Sequence, residues 1–175
     1  MATTYTLISS ATVGSGGQAS IEFTSIPATY TDLFLKLSLR SSGSGTHAGG
    51  SQMIFNNSTA ANYSFRQLRG NGSTSFTTGL SSGTNYIRVT NNHPTAGNTA
   101  STFCHSEVYI PNYTSSNFKS VLEDNVEENN TIEAYIQIVK GLWSNTSAIT
   151  SIKLTSEATA FVEHSTAYLY GIKNS

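Results

Sequence analysis

Several groupings in this 175-residue chain combine residue types that could do chemistry. His105 and Glu107 stand two apart, so a strand would put both on one face, and Glu163 directly precedes His164. Either pair has the makings of acid–base work or half a metal site, but neither has a His-x-x-x-His or three-ligand spacing. Gly79-Leu80-Ser81-Ser82-Gly83 matches the G-x-S-x-G turn that carries a hydrolase nucleophile. That turn must run from a strand into a helix, whereas the following TNYIRVT reads as another strand. Glu123, Asp124, Glu127 and Glu128 gather four of the ten carboxylates around Asn125 and Val126. A turn of this composition could give a hard cation some of its six to eight oxygens, although the spacing departs from an EF-hand; a solvated turn that keeps like edges from pairing is the plainer reading. Trp143 and Tyr113, near loops, could form a flat platform for sugar rings, with Tyr63 and Tyr86 as neighbours; Trp143 also suits a cap on the core.

The remaining reactive side chains carry less. The glycines between Gly43 and Gly50 lack the GK[ST] ending of a phosphate loop. His47 and His93 fall in polar loops, the latter beside Pro94. Cys104, the single cysteine, reads as a small inward residue with no cation nearby in sequence to lower its pKa, and alone it can form neither an internal disulfide nor a cysteine metal cluster. No catalytic, cofactor or metal-binding set is expected.

The elements that would hold these residues are strands, because the periodicity is two almost everywhere. Residues 32 to 40 put Leu33, Leu35, Leu37 and Leu39 on one face and Phe34, Lys36, Ser38 and Arg40 on the other. Residues 131 to 139 repeat the pattern, predicting Ile132, Ala134, Ile136 and Ile138 inward with Glu133, Tyr135 and Gln137 outward. Further strands are expected over 3 to 11, 18 to 25, 51 to 57, 85 to 91, 102 to 110, 117 to 124, 149 to 155 and 160 to 172, about ten in all. Residues 60 to 68 fit a short helix or an irregular strand. Residues 41 to 51 and 70 to 84 are Gly/Ser/Thr tracts that read as long loops, where ordering on assembly would occur. Length and pattern predict one domain over 1–175, an all-β antiparallel β-sandwich of jelly-roll-like form.

Composition narrows the function. Ser 27, Thr 24 and Asn 15 make up about 38 % of the chain, against 11 % charged residues. Nine cations against ten anions leave no phosphate-neutralising surface, so nucleic acid is not an expected partner. No run approaches the roughly 18 apolar residues of a membrane span, and no cationic leader precedes Lys36, so no secretory signal is expected either.

Five segments carry a resemblance: IPATYTDLFLKLSLRSS (26–42), IFNNSTAANYS (54–64), IPNYTSSNFKSV (110–121), GLWSNTSAITSIKL (141–154) and STAYLYGIK (165–173), in that order. Together they resemble a family of small tailed-bacteriophage virion proteins, jelly-roll-like β domains that decorate capsids or form tail-fibre tips. The resemblance implies a virion location, assembly in the cytoplasm of a bacterial host, and the major capsid protein and copies of itself, as a trimer, for partners. Nothing before the first strand reads as a tail-attachment domain or coiled-coil stalk, which favours a capsid decoration or cement subunit; the alternative is a tail-fibre or receptor-binding module contacting host glycans. A charge-poor surface of Ser, Thr and Asn agrees with dense packing, since it has little long-range repulsion and little rotamer entropy to lose at contacts.

Overall fold

Alternation of apolar and polar residues builds strands throughout the computed structural model, which describes residues 4–45, 49–72, 75–128, 130 and 134–173, with the backbone alone for 75–82. Among the described residues there are twelve strands: β1 Tyr5–Thr12, β2 Ser20–Phe23, β3 Asp32–Ser38, β4 Gly49–Phe55, β5 Tyr63–Gly70, β6 Ser75–Thr84, β7 Ile87–His93, β8 Cys104–Ile110, β9 Lys119–Glu127, β10 Ile136–Trp143, β11 Ile152–Ser156 and β12 Thr166–Ile172. They form an eight-stranded sheet in the order β1-β12-β3-β8-β9-β10-β5-β6 and a four-stranded sheet in the order β2-β11-β4-β7. Pairing is antiparallel in both. The expected all-β sandwich is what the chain makes; its eight-plus-four division exceeds the eight strands of a jelly roll.

The core lies between the sheets. Leu33, Leu35 and Leu37 of β3 face it, as their alternation predicts, and meet Met53 and Phe55 of β4, Ile87 and Val89 of β7 and Leu154 of β11, all buried. An aromatic cluster closes one region: Trp143 stacks on Tyr63 with centroids 5.9 Å apart, and Phe55 packs on Trp143 at 5.5 Å. The Tyr63 hydroxyl takes the Phe55 amide proton at 3.0 Å and donates to the Phe55 carbonyl at 3.2 Å, which ties β5 of one sheet to β4 of the other. Gly141 of β10 leaves room for Ile87 of the facing sheet, because a Cβ there would stand 2.8 Å from the Ile87 side chain.

Three expectations change. Most of the 70 to 84 tract is strand β6, paired with β5, so this Ser/Thr/Gly segment is an edge rather than a long loop. The 41 to 51 loop gives way to β4 at Gly49, whereas residues 60 to 68 take the irregular-strand alternative from Tyr63. The strand placed at 131 to 139 runs from Ile136 to Trp143 and faces the opposite way: Gln137 and Val139 point in, while Ile136 and Ile138 point out. Ala134 is exposed, and Ile132 and Glu133 lie outside the described residues.

One prediction arises from the packing itself. Gly171 of β12 lies under the Tyr30 ring, and a Cβ there would come within 2.3 Å of it. Gly171→Ala is expected to displace Tyr30 and lower the unfolding free energy by about 2 kcal/mol, the usual penalty of overpacking. Urea denaturation at neutral pH checks it; an unchanged midpoint would show that the ring moves aside freely.

Candidate functional site

The outer face of the large sheet is where unusual side chains gather. Its residues form rows, because strand register fixes which side chains stand abreast. One row runs Gly70, Ile136, Val126, His105 across β5, β10, β9 and β8; the next runs Leu68, Ile138, Asp124, Glu107 and reaches Lys36 on β3; the third runs Arg66, Lys140, Leu122, Tyr109. Leu142 begins a fourth. Leu68, Leu122, Val126, Ile136, Ile138 and Leu142 are all exposed, Ile136 at 63 %. Leu68, Ile136, Ile138 and Val126 floor an open groove of about 420 Å³ rimmed by His105 and Asp124.

Charges flank that apolar stripe in like-signed pairs. Lys140 stands directly opposite Arg66, and Asp124 directly opposite Glu107. Directly opposed like charges destabilise a sheet. Glu107 is partly relieved by Lys36 and His105, each 3.4 Å from the same carboxylate oxygen.

The inner face of the same strands is polar, which explains the reversal of β10. Glu123 is fully buried and accepts hydrogen bonds from the Thr90 amide at 2.8 Å, the Ser106 hydroxyl at 2.9 Å and the Gln137 amide nitrogen at 3.1 Å. Gln137 in turn accepts from Gln67 at 2.7 Å. The chain of amides links β5, β10, β9, β8 and β7, so satisfied hydrogen bonds hold polar side chains inside and aliphatic ones outside. Burial pushes the Glu123 carboxyl up to about 7 despite its three donors.

The residues singled out for chemistry separate. His105 and Glu107 do share a face and a contact, at the edge of the groove. Glu163 and His164 are exposed in a turn before β12. The G-x-S-x-G stretch lies inside β6 and leads to strand β7. The acidic cluster is no turn: β9 alternates, sending Glu123 and Glu127 inside and Asp124 outside, with exposed Glu128 beyond, so the four carboxylates cannot converge on one cation. Trp143 and Tyr113, offered as a sugar platform, are buried at 1 % and 0 % exposure, and Trp143 takes the alternative place in the core. Trp143 continues the inward series of Val139 and Gly141, and the Tyr113 hydroxyl donates to the Pro27 carbonyl inside the fold. No ring face of either is open to a sugar.

Cys104 is inward, with burial raising its thiol to about 12. His93, placed by sequence in a loop, ends β7 in the interior, where the Ser41 hydroxyl lies 3.4 Å from each ring nitrogen and 2.9 Å from the Ser156 hydroxyl. Burial lowers the His93 pKa, and both His93 and Ser41 are closed to solvent. His47 lies outside the described residues.

Sequence reasoning missed the outward stripe because it assigned aliphatic residues to the core. The available signal was β9, whose inward series Val121, Glu123, Asn125, Glu127 and outward series Leu122, Asp124, Val126 both mix aliphatic with polar residues. Comparison with protein families and with curated proteins finds no match to this chain.

Proposed function

We propose that the chain is a bacteriophage virion structural protein, a decoration or cement subunit that docks on the outer capsid surface and stabilises the shell by bridging neighbouring coat subunits. The observation that carries this reading is the exposed aliphatic stripe, flanked by charged side chains, on the outer face of the large sheet, which marks the chain as one that assembles with other protein. Contiguous exposed apolar surface marks a place that another protein covers. The double-layered sandwich supplies a stiff body, and polar loops such as 41 to 45 supply adaptable contacts to the coat. Each contact is weak alone and gains from repetition over a lattice of identical sites. The five segments that resemble virion proteins support the same reading.

The test is addition of purified protein to phage heads that lack it. Saturable binding is expected, with a rise in the temperature at which the heads open. Failure to bind heads, combined with binding to host cells or surface polysaccharide, would replace this reading with that of a receptor-binding module.

A further inference from the structure

We propose that the outer face of β5, β10, β9 and β8 is covered by a second copy of this chain, related by a twofold axis that runs along the strands between β9 and β10. This rests on the reading of the chain as an assembling structural protein and names the surface through which it pairs with itself. The argument is charge complementarity. Lys140 opposes Arg66 on the β10–β5 side of the stripe, and Asp124 opposes Glu107 on the β9–β8 side. Each like-signed pair is unfavourable within one molecule. The proposed axis lays β10 and β5 of one copy over β9 and β8 of the other. The basic pair then stands one row, about 7 Å along the strands, from the second copy's acidic pair, within reach of lysine and arginine side chains. The relation is reciprocal, as a twofold interface requires, so the contact is made twice and each pair of either copy meets one of opposite sign. The same operation sets Ile136 against the second copy's Val126 and brings both aliphatic stripes out of water.

Four strands of about seven residues present a face of roughly 19 by 23 Å. That is about half the ~800 Å² that each partner gives to a standard interface, so the pair is a weak one whose population depends on concentration. Packing on a shell supplies the local concentration that dilute solution lacks.

Sedimentation velocity on the purified chain tests this. The expected result is a monomer–dimer equilibrium that shifts toward monomer as salt is raised, because the pairing charges are screened. Lys140→Glu and Asp124→Lys are each expected to sediment as monomers while unfolding at the wild-type temperature or slightly above it, since both positions are exposed and each change turns a like-signed cross-strand pair into an opposite-signed one. Mixed in equal amounts they should dimerise again, because each then supplies the sign that the other lacks. If one of them fails to fold, Arg66→Glu and Glu107→Lys repeat the test. A wild type that stays monomeric, a trimer, variants that still dimerise, or a mixture that does not recover would each overturn the proposal. Binding to heads is scored separately: a monomeric wild type that still binds heads sinks the twofold pair alone, whereas a dimer that binds no heads sinks the capsid role and leaves the pair standing.

Discussion

Trp143→Ala is expected to lower the unfolding free energy by about 4 kcal/mol, the range for deleting a buried Trp side chain, and to lower the melting temperature by about 10 °C. The indole is 1 % exposed and contacts Phe55 of the facing sheet and Tyr63 of the neighbouring strand. Its removal empties the place where the two sheets are pinned together. Trp143→Phe should cost only about 1 kcal/mol, because ring packing largely survives and the indole nitrogen has no hydrogen-bond partner to lose among the described residues. Circular dichroism melts of the three proteins check both numbers. Equal melting temperatures for wild type and the alanine variant would mean that the cluster is not packed as described.

The second large effect is a pH dependence centred on Glu123. Its ordinary value near 4.5 rises to about 7 in the fold, chiefly through burial, and the rise sets the sign. Below about pH 4.5 both folded and unfolded states hold the proton, and the group contributes nothing. Between about 4.5 and 7 the unfolded chain ionises first, so stability falls as pH rises; above 7 the deficit is constant at about 3 kcal/mol. Protonation also changes the network. Three donors aim at the carboxylate, so the new O–H needs an acceptor, which Gln137 and then Gln67 provide by turning their amides over. Glu123→Gln imitates the protonated acid without its titration. Urea unfolding across this pH range should show the variant gaining on the wild type through the window and leading by up to about 3 kcal/mol at pH 8. A constant difference from pH 4 to 8 would show that Glu123 titrates normally.

The large sheet shows what the sequence could and could not disclose. In β3 the three alternating leucines, Leu33, Leu35 and Leu37, meet an apolar opposite layer, so one rule gives strand, face and burial together. In β10 the same rule selects the wrong face, because Gln137, Gln67, Glu123 and Ser106 are held inside by bonds between residues far apart in sequence. Periodicity within one strand carries no information about such partners. β6 was hidden for another reason: its Ser and Gly residues have little strand preference of their own, and pairing with β5 makes the segment a strand. Trp143 was legible as a large aromatic residue, but its direction depends on which residues of β10 face inward, and Tyr113 lies in the turn after β8, where alternation gives no direction. The groove residues were therefore all visible as letters, and His105 and Glu107 even as a pair, while the face they share with the aliphatic stripe required the register.

The proposed virion role is tested most directly by electron cryo-microscopy of phage particles assembled in cells that express this chain. The account expects density for the two-layered sandwich on the outside of the head, with the outer face of β5, β10, β9 and β8 covered by protein. Density at the tail tip instead, no copy of the chain in the particle, or that face open to solvent would contradict it.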